Sequence, residues 1–262
     1  GAIVELGLIY MEGRGVPRNY ERALFWFTRG AAEGNATAQN NLALMYFLGL
    51  GTSPDSRSAV NWWKKAAHQG MPYAEANLGF AYLTGVSVEK RPDLAVKLSR
   101  KAANRGLAGA QYNLGYCYET GQGVHGDLSQ AVLWYKKAAE QGDVYALNSL
   151  GLLYLNGRGV RQNAEEALRL FRAAAENGNS KAFLNLANMH FKGQGVARDT
   201  VTAYMWLELA SKNGESVAEA IEIVAGMMPP EIAEARELAI AWANQHGNVL
   251  GVHPPVFFPP AQ

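Results

Sequence analysis

Residues able to do covalent or acid–base chemistry are few in this sequence, and they do not converge. The five histidines, His68, His125, His190, His246 and His253, are scattered, and no two stand three or four residues apart as metal ligands on one helix face would. Cys117 is the single cysteine, so no intramolecular disulfide can form, and it reads as a small buried helix residue. There is no Gly-x-Ser-x-Gly elbow and no phosphate-binding loop. Gly-x-Gly pairs recur, but they follow helical and not strand-like sequence, so they close helices and do not cradle a dinucleotide. The adjacent acids Glu165 and Glu166 open a helix, where negative charge suits the macrodipole. No catalytic residue, metal ligand or cofactor is expected.

What recurs at fixed spacing is suited to contact. Asn41, Asn77, Asn113 and Asn185 form one column, with Ser149 filling the gap. Amides in this register can hydrogen-bond the backbone of an extended peptide, or they can satisfy partners where repeats meet; the second reading is the stronger. Beside them stand the aromatic residues Phe47, Phe80, Tyr112, Tyr116 and Tyr145. Only Lys181 and Lys192 are basic in these columns, and Glu5, Glu12 and Glu119 oppose them. An RNA-reading groove needs cations to track phosphates, and so does a clamp for an acidic peptide terminus. Neither is present, so the expected partner is a protein or peptide and not nucleic acid.

These columns belong to a repeat of period 36 that runs through six units without insertion or deletion. Leu6, Leu42, Leu78, Leu114, Leu150 and Leu186 share one position, as do Gly13, Gly49, Gly85, Gly121, Gly157 and Gly193. Another column holds Tyr10, Tyr46, Tyr82, Tyr118 and Tyr154, with His190 in sixth place. Each unit reads as two helices. In the first, Ala, Leu and Tyr recur every four residues on one face, and a glycine closes the helix. The buried side is assigned to that face, and the Asn and aromatic columns opposite it to a concave groove. The second helix starts at an N-cap column of Asn19, Asp55, Asp127, Asn163 and Asp199. The third unit departs, with Ser87 at the second glycine position, Arg91 at the cap and Leu98-Ser99 where other units carry an aromatic pair.

The pattern Ala-x-x-x-Leu-(Gly/Ala)-x-x-Tyr-x-x-Gly-x-Gly-Val, then Ala-x-x-Trp-(Tyr/Phe)-x-x-Ala-Ala-x-x-Gly, resembles the Sel-one-like repeat, a relative of the tetratricopeptide repeat. The resemblance covers residues 2 to 217. It implies an all-α, right-handed superhelical solenoid whose first helices line the concave side. It also implies adaptor roles in assembling protein complexes, often in the bacterial periplasm or at a host interface. One branch of the family staples each repeat with a cysteine pair, and this chain lacks those cysteines.

Composition agrees with a packed array. Of 262 residues, 48% are apolar and the net charge is +1, so disorder and strong electrostatic partner bias are both disfavoured. No apolar run reaches the ~20 residues of a membrane span. The chain opens on Gly1 without a Met. Such a start fits a trimmed or processed end, and leaves open both a targeting segment and further repeats before it. Residues 1–217 are expected to form six repeats and 218–247 capping helices. Residues 248–262 form a proline-rich tail whose Phe257 or Phe258 is expected in an apolar pocket, as an end cap or as a route to self-association. Two functions follow: a scaffold binding a peptide or protein segment in its groove within a regulatory or envelope complex, or a structural part of an envelope assembly such as an export or motility apparatus. A periplasmic or secreted location is expected from the resemblance.

Overall fold

The computed structural model describes residues 1–217 and 223–247, and there it contains thirteen helices and no strand. The chain divides into two compact units. The first, residues 1–126, holds α1 (Ala2–Glu12), α2 (Tyr20–Ala32), α3 (Ala36–Leu48), α4 (Ser56–His68), α5 (Pro72–Thr84), α6 (Pro92–Ala103) and α7 (Ala108–Thr120). The second begins at Asp127 and holds α8 (Leu128–Ala139), α9 (Val144–Asn156), α10 (Ala164–Glu176), α11 (Ser180–Lys192), α12 (Thr200–Lys212) and α13 (Pro229–His246). Within each unit consecutive helices pack on one another, the pattern of a stacked repeat array.

Single residues set the helix ends. Each first helix stops at a left-handed glycine; Gly157, at φ 64°, donates its N–H to the Leu153 carbonyl. Asn19, Asp55, Asp127, Asn163 and Asp199 accept backbone N–H bonds at the starts of the second helices, whereas Arg91 makes no such bond. At Arg91 the start relies on Pro92, whose fixed φ suits the first helical position. The second glycine of each pair answers a different need. A Cβ at Gly123 would lie 2.1 Å from the Pro92 carbonyl oxygen, so the loop of one repeat passes against the second helix of the repeat before. Ser87 occupies that column with φ 54°, the only non-glycine residue at positive φ among those described.

The core is a run of large rings on the second helices. Phe27, Trp63, Tyr135 and Phe171 are each fully buried, and such side chains contribute about 1.5–3 kcal/mol apiece. Ser99 is their counterpart in the third repeat and is equally buried. At the far end α13 covers α12. Ala235 and Ala239 are buried there, and Arg236 pairs with Glu208 at 3.1 Å. Trp242 meets Phe183 and Trp206 edge-on at 5.4 and 5.5 Å and stacks on His246. The proline-rich tail, with Phe257 and Phe258, lies outside the described residues.

Candidate functional site

The first helices are enclosed more completely than an amphipathic stripe would be. In α3 every residue from Ala38 to Met45 is buried, because α2 and α4 pack on it and Asn77 of α5 meets Asn40. Three residues of the Asn column, Asn41, Asn77 and Asn113, are each 1% exposed. They sit inside the junction between repeats and not on an open surface.

The amides there bond within the protein. Asn77 Nδ2 donates to Asn40 Oδ1 at 3.3 Å, and Asn40 Nδ2 donates to Asn41 Oδ1 at 3.5 Å. The amide nitrogens of Asn41 and Asn113 have no acceptor among the described residues, yet they are sealed from solvent. Two positions before this column, Gln39 and Gln111 donate to the Ala31 and Ala103 carbonyls near the ends of the preceding second helices. Glu75 stands in that same column. Asn40, Asn148 and this glutamine pair were not singled out in the sequence. Only their recurrence at multiples of the period, Gln39 and Gln111 two repeats apart and Asn40 and Asn148 three, points to them.

The aromatic set behaves differently. Phe47, Phe80, Tyr112 and Tyr116 of the first unit are all half-buried. Phe47 leans on Trp63 with ring centroids 5.4 Å apart, so it is partly core. Tyr112 and Tyr116 lie one turn apart on α7, and Phe80 stands at the register of Tyr116 on α5, which contacts α7. In the first two repeats this register holds Leu8 and Leu44, which are 7% and 0% exposed. In this register the partly open aromatic residues therefore begin at the third repeat.

In the second unit, Asn185 is half-buried and donates to Asn148 Oδ1 at 2.8 Å. Tyr145 is half-buried beside Asp143, and burial together with that carboxylate raises its pKa. Lys181 and Lys192 are exposed. Burial pushes the Cys117 thiol up to about 12, so it is not a reactive thiolate at neutral pH. Among the described residues no three His, Cys, Asp or Glu side chains gather as a metal site would require, and no helix is long and apolar enough to cross a membrane.

Known proteins match this architecture. A Sel1 repeat protein from Oxalobacter formigenes is similar at 35% identity and a TM-score of 0.72, over 80% of this chain and 84% of that one. A protective antigen of uropathogenic Escherichia coli with an SLR fold is similar at 33% identity and a TM-score of 0.68, over 93% of this chain. The match spans about half, 54%, of that longer antigen. An immunity protein of Pseudomonas aeruginosa, at 20% identity and a TM-score of 0.53, shares the fold alone. No curated protein matches the sequence. The Sel1 repeat model matches residues 1–35, 36–71, 72–107, 108–143, 144–179 and 180–215. Six matched repeats on an all-helical frame place this chain in the Sel1 repeat family, whose members are generally protein-interaction scaffolds.

Proposed function

We propose that the chain is a non-enzymatic adaptor that holds an extended peptide or protein segment against the aromatic face of its first helices. One observation carries this reading. Phe80, Tyr112 and Tyr116 keep part of their surface open at positions where, for the register of Phe80 and Tyr116, earlier repeats bury leucine. Half-exposed aromatic rings on rigid helices are suited to anchoring a partner, because they offer large contact area at little entropic cost. A partner in a bacterial regulatory or envelope complex, met in the periplasm or outside the cell, is part of the same reading and rests on the family.

The test is affinity capture from the source cell with the native chain and with a Phe80→Ala, Tyr116→Ala variant side by side. Truncating an anchoring aromatic costs about 2 kcal/mol or more in binding. A genuine partner is retained by the native chain and lost with the variant, while the far-ultraviolet helix signal is unchanged. Identical retained sets with an intact fold would move the binding surface elsewhere.

A further inference from the structure

The cations missing from the first-helix face stand on the second helices and are densest in the segment around α6. Residues 89–105 carry six Lys or Arg against two acids, in a chain whose net charge is only +1. We propose that the exposed face of α6, built on Lys97, Arg100 and Lys101, docks an acidic segment of a partner protein. This site is separate from the aromatic face and does not depend on it.

Two observations point to a ligand. The first is a shape: Lys97, Arg100, Lys101 and Asn104 border a shallow, open depression along one face of α6, beside the buried Val96. The second is the loss of a holding group. In other repeats the cation at the position of Lys101 lies over an aromatic ring one turn earlier: Arg29 over Trp26 at 6.0 Å, Lys65 over Trp62 at 3.9 Å, Lys137 over Trp134 at 4.3 Å. Leu98 replaces that ring in the third repeat, so Lys101 loses its cation–π partner.

The acids nearby leave most of this charge uncompensated. Asp93 also borders the depression, but its two oxygens are taken by Arg91 at 3.0 and 2.8 Å. Glu75 is buried beneath, 2% exposed, and is shared at 3.9 Å from Lys101 and 3.7 Å from Arg105. Arg100 donates to the neutral Tyr118 hydroxyl at 3.1 Å and so keeps its full charge. Lys97 has no ion pair among the described residues.

The chemistry favours carboxylates on a protein segment over a nucleic acid. Single strands are held by a long cationic track interleaved with stacking aromatics, and α6 carries no aromatic residue. A short patch of three cations with an amide at one end suits a few Glu or Asp side chains presented together.

Fluorescence anisotropy of the full chain with a labelled peptide of alternating Glu and Ser, and with its Gln counterpart, tests the proposal. The Glu peptide should bind, more weakly as salt rises, and the Gln peptide should not. Lys97→Glu with Lys101→Glu should weaken binding about tenfold or more, whereas Lys64→Glu with Lys65→Glu on α4, the same change in net charge, should leave it within about twofold. Lys97→Gln, which breaks no ion pair of the described residues, should weaken it in the same direction and keeps the test valid if the double variant misfolds. Phe80→Ala with Tyr116→Ala should not affect it, which separates this site from the aromatic face. Absence of Glu-peptide binding, or equal losses in the two double variants, would overturn the proposal. So would inorganic phosphate or a single-stranded oligonucleotide displacing the label more effectively than unlabelled Glu peptide.

Discussion

Asn185 donates its side-chain amide to Asn148 Oδ1 at 2.8 Å, and Asn77 makes the corresponding bond to Asn40 at 3.3 Å. Each joins the first helices of successive repeats. Asn148 is 8% exposed and Asn40 0%, so removing the donor strands an acceptor that water does not readily reach. Asn185→Ala is therefore expected to destabilise the chain by about 1–3 kcal/mol. Urea denaturation of the unliganded protein measures this. A ladder that served only a ligand would leave the free chain as stable as before.

The third repeat should be the weakest interior unit. Ser87 sits at φ 54°, a conformation costing an L-residue about 1–2 kcal/mol relative to its normal basins, and Arg91 offers no cap to α6. Ser87→Gly is expected to raise the melting temperature, and so is Arg91→Asn, which copies the caps at Asn19 and Asn163. Amide exchange should be fastest among interior repeats at residues 85 to 100. Uniform protection across repeats two to five would contradict this ranking.

The helix-ending glycine should tolerate substitution poorly where a surface position tolerates it well. Gly157 holds φ 64°, and a Cβ there would lie 3.1 Å from Gln162 Cβ. Gly157→Val is expected to cost about 1–2 kcal/mol or more, since a β-branched residue resists positive φ. Glu165→Val, on the exposed first turn of α10, serves as the control. Glu166 is a poorer control because it pairs with Arg169. Equal shifts in melting temperature would refute the capping role.

Glycine closures and N-caps were legible because each depends on one residue's own conformational preference, repeated in register. The faces of the first helices were not. Placing the groove opposite Leu42 assumes a helix with one buried side, yet Asn40, Asn41 and Leu44 are as buried as Leu42. In a stacked array a helix is covered from three directions, and periodicity within one repeat carries no record of its neighbours. The second glycine shows the same limit. Its conformation was readable, but its contact with the preceding repeat, as Gly123 against Pro92, arises only from stacking. The contact of Trp242 with Phe183 and Trp206 lies beyond the repeat pattern, where no column aligns it.

His190 replaces the sixth tyrosine of its column, and this substitution should make the second unit acid-sensitive. It is 6% exposed, and neither ring nitrogen has a hydrogen-bond partner among the described residues. Burial lowers its pKa first, and Arg172 adds to the effect, while Asp199 opposes it. The unfolded chain holds this histidine near its ordinary value, about 6.5. Between that value and the lowered folded value, the unfolded state binds the proton and the folded state does not, so stability falls as pH falls through this window. Above about 6.5 both states are neutral and the residue imposes no pH dependence. Two repeats earlier, Tyr118 occupies this position and accepts from Arg100 at 3.1 Å, and Arg172 stands where Arg100 does. His190→Tyr should therefore supply Arg172 with an uncharged acceptor, raise stability at neutral pH and flatten the loss below pH about 6.5. Thermal melts of the native and variant chains across that range provide the measurement. If the two curves stay parallel, the acid sensitivity belongs to other groups and His190 is a passive filler of the column.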